Sequence, residues 1–272
     1  MDNSSLPKIS IITVNLNGVA TLERTIQSII HQSYQNLEYL VIDGGSTDGS
    51  LNIINRYADL IDVVLIEKDK GISDAFNKGI ERATGDLIGI VSADDYLPEG
   101  SLQAVAKVWL TKPDMDVIYG NSIVYEPGNT RQFIVKPDKD FRAIWRRQPL
   151  KHSAMYVSRK TYSKFGMYNL KYHLAMDYEL TLRFYLKNAS FVYINKVIGA
   201  FCIGGINDQN FVKTMAEVRD ISIHYGYLKI KAHYWFFIKV IKLYIKKLLY
   251  RLHLFSLIKI YRNFSSRFKK FI

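Results

Sequence analysis

The sequence predicts an α/β fold, a mostly parallel sheet with helices on both faces. Three observations carry this expectation. Strand-like and helix-like segments alternate through the first half of the chain. The strand-like segments are near-continuous apolar runs, as burial on both faces requires. Several of them stop abruptly at small, polar or acidic residues.

In chain order, Lys8 to Val14 is a β-rich apolar run, and Leu22, Ile26, Ile29 and Ile30 follow at helical spacing. Leu37 to Ile42 is a second strand, stopped by Asp43-Gly44-Gly45, and Val63 to Ile66 reads as a third. Ile72, Ala75, Phe76, Gly79 and Ile80 form another amphipathic helix before a fourth strand, Leu87 to Val91. Leu102, Val105, Ala106, Trp109 and Leu110 repeat the helical spacing, and Val117 to Tyr119 is a short strand. After Tyr125 the pattern changes. Glu126-Pro127-Gly128-Asn129 is a turn cluster, and mixed basic and aromatic segments lead to a helix around Asp177 to Lys187. The expected organisation is one domain in two halves, 1–125 and 126–210, followed by a tail over 211–272.

Composition narrows the function classes. The chain has 272 residues, 48% hydrophobic and 23% charged, enough for a large core without covalent staples. Cys202 is the single cysteine, so an internal disulfide is excluded. Met1 to Pro7 lacks the basic and apolar regions of a signal peptide, and no uncharged apolar run approaches the ~18 residues that span a bilayer. The net charge of +12 is concentrated at one end: residues 221–272 hold twelve Lys or Arg and no Asp or Glu. The rest is charge-balanced. Such asymmetry points the tail toward an anionic surface.

In a parallel α/β sheet, ligands bind beyond the carboxyl ends of the strands. Here those ends carry Thr13-Val14-Asn15, Asp43-Gly44-Gly45-Ser46-Thr47-Asp48-Gly49 and Ser92-Ala93-Asp94-Asp95. Two adjacent carboxylates after a buried strand repel each other unless a cation, a proton or strong donors compensate. Mg²⁺ or Mn²⁺ takes one or two carboxylates and completes its shell with substrate phosphate oxygens. Read alone, Asp94-Asp95 fits a solvated turn before the next helix equally well. Asp43 directly follows a buried strand, where it could accept hydrogen bonds from a base such as uracil. Neither GxGxxG nor GxxxxGK[ST] is present, which disfavours a dinucleotide site.

Taken together, these segments resemble family-2 glycosyltransferases. The resemblance rests on Ile11 to Asn15, Val41 to Gly49, Asp69-Lys70-Gly71-Ile72-Ser73-Asp74-Ala75-Phe76-Asn77-Lys78-Gly79, and Ala83-Thr84-Gly85-Asp86 leading to Ser92-Ala93-Asp94-Asp95. It continues to about residue 210 through Lys151-His152-Ser153-Ala154, Phe165-Gly166, Met176-Asp177-Tyr178-Glu179-Leu180 and Gly204-Gly205, which look like landmarks of bacterial surface-polysaccharide transferases of the colanic-acid type. It implies a GT-A-like fold with a Rossmann-type sheet. Residues 1–125 would be the nucleotide-sugar-binding half and 126–210 the acceptor-binding half.

The resemblance also implies residue roles. Thr13 and Asn15 line the nucleotide pocket, Asp43 contacts the base, and Asp74 and Lys78 lie near the nucleotide and diphosphate. Asp94 and Asp95 hold Mg²⁺ or Mn²⁺, and Asp94 also borders the substrate. His152 lies near the donor diphosphate or acceptor, and Asp177 is the catalytic base. The first position of the metal motif is Ser92 and not an acid, which shifts the expected ligation toward Asp95, with Asp94 in support. Without the resemblance, Thr13 and Asn15 read as turn chemistry, and Asp74 with Lys78 as a solvated i, i+4 pair.

The tail completes the expectation. Between Tyr234 and Tyr250, Lys239, Lys242 and Lys246 share one helical face, with Trp235 beside them. Phe237, Val240, Ile241, Tyr244 and Leu248 share the opposite face, flanked by Ile245, and Arg267, Lys269 and Lys270 extend the basic character. That is the pattern of an in-plane membrane helix. The alternative is a helix packed on the body with its lysines solvated. The full expectation is an inverting, metal-dependent transferase using a UDP-sugar and a lipid-linked glycan acceptor. It would sit peripherally on the cytoplasmic face of the cell membrane, with no nucleic-acid partner. A sugar-phosphate nucleotidyltransferase is the main rival, though Asn15-Leu16-Asn17-Gly18 lacks the basic glycine-rich loop it would need. A basic nucleic-acid-binding protein is the weaker one.

Overall fold

The computed structural model describes residues 6–126, 132–204, 210–252 and 254. The first half alternates β1 (Ile9–Asn15), α1 (Leu22–Ile30), β2 (Leu37–Asp43), α2 (Ser50–Arg56), β3 (Val63–Ile66), α3 (Ile72–Arg82), β4 (Leu87–Ile90), α4 (Ser101–Thr111) and β5 (Val117–Tyr125). Then come β6 (Gln132–Val135), β7 (Met155–Ser158), α5 (Arg159–Phe165), α6 (Met176–Leu186), β8 (Phe191–Cys202), α7 (Phe211–His224) and α8 (Lys229–Arg251).

The strands form one sheet in the order β3-β2-β1-β4-β7-β5-β6, with β8 also on β5. β3, β2, β1 and β4 are mutually parallel, as expected. The second half is more mixed than the sequence suggested. β7 runs antiparallel to both β4 and β5, and β6 is antiparallel to β5, while β8 is parallel to it. β5 is thus the hub that merges the two halves into one sheet.

Residue alternation in the strands builds a core on each face. Ile12, Val14, Leu40, Ile42 and Ile90 pack with Ala75, Phe76 and Ile80 of α3 on one face. Ile11, Tyr39 and Val41 pack with Leu22, Ile26 and Ile29 of α1 and Leu102 and Val105 of α4 on the other. The Ala83-Thr84-Gly85-Asp86 landmark locks the far end of the sheet. Thr84 donates its amide to buried Glu38 at 2.8 Å, and the Gly85 amide donates to Ser10 Oγ at 2.9 Å. A Cβ at Gly85 would lie 2.7 Å from the Ser10 nitrogen, so this close approach needs glycine.

The region expected as a tail from 211 divides in two. α7 belongs to the body: Val218 and Ile221 are buried in the same cluster as Leu180 and Phe184 of α6. Only α8 extends from it, and of its residues only Ala232 is fully buried. Lys239 departs from its expected place on a basic outer face. Its ammonium donates to the Arg146 carbonyl and lies 3.4 Å from Met215 Sδ. Burial, with Arg147 and Arg146 nearby, pushes its pKa down to about 8. Arg267, Lys269 and Lys270 lie outside the described residues.

Candidate functional site

The parallel register places Asn15 beside Asp43 at the carboxyl ends of β1 and β2. Both are buried. Asp43 Oδ1 accepts from the amides of Gly45 and Ser46 at 2.9 and 2.7 Å. Its Oδ2 accepts from Asn15 Nδ2 at 2.7 Å and Ser46 Oγ at 2.8 Å. The carboxylate therefore organises the Gly44-Gly45-Ser46 turn, and direct contact with a base would require it to share these donors. Thr13 is further inside, fully buried, with its Oγ1 accepting from the Tyr39 hydroxyl at 3.1 Å. Its side chain belongs to the core. Asn15 Oδ1 is a buried acceptor without a partner among the described residues. Asp43→Ala is expected to orphan several buried donors at once. Each such group costs about 1–3 kcal/mol, so the denaturation midpoint should fall sharply along with nucleotide affinity. Wild-type stability in that variant would remove Asp43 from this organising role.

Asp74 and Lys78 do form the i, i+4 pair, at 3.3 Å, but it is no isolated surface pair. Lys78 also meets Asp69 at 2.9 Å and Glu67 at 3.1 Å, and donates to the Lys68 carbonyl at 3.0 Å. Partial burial opposes its charge, but the bonds to Asp69, Glu67 and Asp74 outweigh this and hold its pKa above the usual lysine value. Asp69 also crowds Gly44, where an added Cβ would lie 2.7 Å from its Oδ2. The loops after β2 and β3 thus converge on a carboxylate that the sequence reading left without a role.

At the end of β4 the two acids of the pair differ in exposure. Asp95 is 5% exposed, and its Oδ1 accepts from the Cys202 amide at 2.8 Å. Asp94 is only partly buried. Arg24 of α1 fixes the turn, donating to the Asp94 carbonyl at 2.7 Å and to the Tyr125 hydroxyl, which itself donates to that carbonyl. Burial raises the pKa of both acids, and repulsion from Asp94 adds to the shift at Asp95. No cluster of three or more His, Cys, Asp or Glu that could hold a metal lies among the described residues. Two adjacent, partly or fully buried carboxylates without a full protein ligand set fit a Mg²⁺ or Mn²⁺ that draws the rest of its shell from water and phosphate. Of the two, Asp94 is the more accessible carboxylate, and Asp95 holds the turn to Cys202 behind it.

The third group lies between β7 and α6. His152 stacks on Phe76 of α3, centroids 5.2 Å apart, and its Nε2 lies 2.5 Å from the Tyr168 hydroxyl. This enclosure pushes its pKa down to about 4, so the ring is neutral near pH 7. Asp177 sits in the first turn of α6, where burial raises its pKa despite a bond from the Tyr178 amide at 2.7 Å. Glu179, the other acid of that turn, is committed elsewhere. It is fully buried, pairs with Arg183 at 2.8 Å and accepts from the Tyr225 hydroxyl at 2.5 Å. Glu217 of α7 accepts from the amides of His173, Leu174 and Ala175, which lead into α6.

Lys151 joins these groups. Its ammonium sits 4.4 Å over the Phe201 ring, next to Cys202, and its charge opposes, without cancelling, the burial that raises the pKa of Asp95 and Asp177. Asp95 of the β4 turn and Asp177, the uncommitted acid of α6, thus both lie within electrostatic reach of Lys151. Sequence reasoning singled out His152 and passed over its neighbour, because one lysine in a basic segment carries no pattern.

Comparison with known proteins identifies the fold and the family. The chain is 29% identical over 219 residues to a PGL/p-HBAD biosynthesis glycosyltransferase of Mycobacterium bovis, covering 77% of this chain and 84% of that one. The fold resembles S. aureus TarS 1-349 in complex with UDP-GlcNAc, with TM-score 0.62, 18% identity, and 84% and 70% of the two chains covered. It also resembles the mannosyltransferase PcManGT of Pyrobaculum calidifontis in complex with GDP-Man and Mn²⁺, with TM-score 0.64, 18% identity, and 86% and 71% covered. The model of "Glycosyl transferase family 2" matches residues 10–184, from β1 into α6, and the chain belongs to that family.

Proposed function

We propose that this transferase moves a sugar from a UDP-sugar to a hydroxyl of a lipid-linked glycan, with inversion, at the cytoplasmic face of a membrane. The observation that carries the reading is the single uncommitted carboxylate in the first turn of α6, Asp177, in a sheet protein whose β4 end carries Asp94 and Asp95. Asp177 takes the acceptor hydroxyl proton. The freed oxygen forms a bond to the anomeric carbon as the bond to the diphosphate breaks, and the nucleoside diphosphate leaves. With Glu179 held by Arg183 and Tyr225, the α6 turn offers one acid to the reaction, which supports a single displacement. A bound Mg²⁺ or Mn²⁺, held by Asp94 with Asp95 behind it, would neutralise charge on the departing diphosphate. Lys151 counters the negative charge of the two acids without occupying either. Asn15, Asp74 and Lys78 border the nucleotide in this reading, with Asp43 and Asp69 shaping the turns around it, and His152 offers a neutral ring beside the diphosphate.

The test is a panel of nucleotide sugars with Mg²⁺, Mn²⁺ or EDTA, scored by the product released. Metal-dependent release of UDP, with an inverted anomeric centre in the transferred sugar, is the expected result. Release of pyrophosphate would establish the nucleotidyltransferase alternative. Release of GDP would move the donor assignment to guanine nucleotides.

A further inference from the structure

Helix α8 presents two apolar faces, and the body covers one of them. Ala232, Trp235, Phe236 and Lys239 recur at i, i+3, i+4 and i+7 on the docked side. The Arg146 guanidinium lies 4.3 Å over the Trp235 ring, and Arg219 lies 4.9 Å over Phe236. Opposite them, Ile230, Tyr234, Phe237, Ile241, Tyr244 and Leu248 are each more than half exposed. At ~100° per residue these six fall within an arc of about 80°. Lys231 and Lys242 border that arc on one side, and Lys229 and Lys247 on the other.

We propose that α8 lies in the plane of an anionic phospholipid surface, its Ile230-to-Leu248 stripe in the acyl boundary and its flanking lysines among the headgroups. The inference deepens the lipid-linked acceptor reading and rests on it for its purpose. No helix among the described residues is long and apolar enough to cross a membrane. A narrow stripe with cations on both flanks matches a lying helix. Charge complementarity selects the occupant. Residues 221–272 contain no Asp or Glu, so a second copy of α8 would bring lysines to lysines. A nucleic acid would engage the lysines and leave the apolar stripe in water. The alternative of a packed helix holds for one face of α8, and the membrane expectation concerns the other. Lys239 and Trp235 pin the helix, and the pinning fixes which face looks outward.

The experiment uses the full chain and sedimentation with two vesicle types, phosphatidylcholine alone and phosphatidylcholine with about a third phosphatidylglycerol. The full chain is expected to bind the anionic vesicles, more weakly as salt rises. Phe237→Asp, Ile241→Asp and Leu248→Asp combined should cut that binding by about 100-fold or more while leaving UDP release unchanged, because all three side chains are exposed. Lys231→Gln, Lys242→Gln and Lys247→Gln combined should reduce the preference for anionic vesicles by about 100-fold. Three results would overturn the inference. One is no vesicle binding by the full chain. The second is a dimer dissolved by the aspartate variant, without vesicle binding. The third is salt-sensitive binding to duplex DNA without vesicle binding. Intact UDP release with no vesicle binding sinks this inference alone, whereas vesicle binding with no nucleotide release sinks the transferase reading and leaves this one standing.

Discussion

Asp177→Asn is expected to lower sugar transfer by ~10²–10⁴-fold, the usual contribution of a positioned general base. Donor affinity should survive, because the amide keeps the side-chain shape and no residue of the nucleotide loops depends on it. The pH profile gives a second signature. The base works only when deprotonated, and burial lifts its pKa above the ordinary 3.8. The rate constant kcat/KM should therefore rise with pH through that raised value and level off above it. His152, pushed down to about 4, should contribute no limb near the usual imidazole value. Lys151→Met removes the cation that favours the charged carboxylate, so the acid limb should move to higher pH. A normal transfer rate in Asp177→Asn would end the assignment, and an unmoved limb in Lys151→Met would detach Lys151 from the base.

Asp94→Asn is expected to reduce turnover by ~10²-fold or more, comparable to losing one preorganised electrostatic contact at a developing charge. Asp95→Asn should cost less, because an amide oxygen can still accept from the Cys202 N–H. Steady-state rates measured across a Mg²⁺ or Mn²⁺ titration distinguish the two. The Asp94 variant should need more metal, and the Asp95 variant should keep a metal requirement close to that of the wild type. Wild-type rates in both variants, unchanged by EDTA, would show that neither carboxylate serves a metal. A more severe loss at Asp95 would restore the order expected from Ser92.

How much was legible in the sequence varied by region, for physical reasons. Most of β1 to α4 was readable because apolar strands and helices at i, i+3 and i+4 leave a pattern to detect, though the seven-residue α2 was not read. β7 runs directly into α5 at Arg159, with no turn residue to mark its end. β8 pairs with β5 through register shifts near Gly120 and Asn121, which break its alternation. The carboxylates of the site were visible as strand-end residues, but their burial was not. Whether Asp94 or Asp95 lies deeper depends on an amide contributed 107 positions later by Cys202. Lys239 misled for the same reason. Helical spacing shows which residues share a face, and only the partner, here the Arg146 carbonyl and Met215, decides which way that face turns.

The grip of Glu217 on the amides leading into α6 bears on how such enzymes can be recombined. The segment shared with the family ends at residue 184, inside the helix that carries Asp177. The carboxylate that steadies the start of that helix lies past the shared segment, in α7. A chimera joined just after α6 would inherit an acid from one parent and its support from another. Three backbone donors would then depend on whatever the foreign helix happens to supply. Junctions placed between α7 and α8 keep acid and support from one parent and leave the outward-facing helix as the exchangeable part.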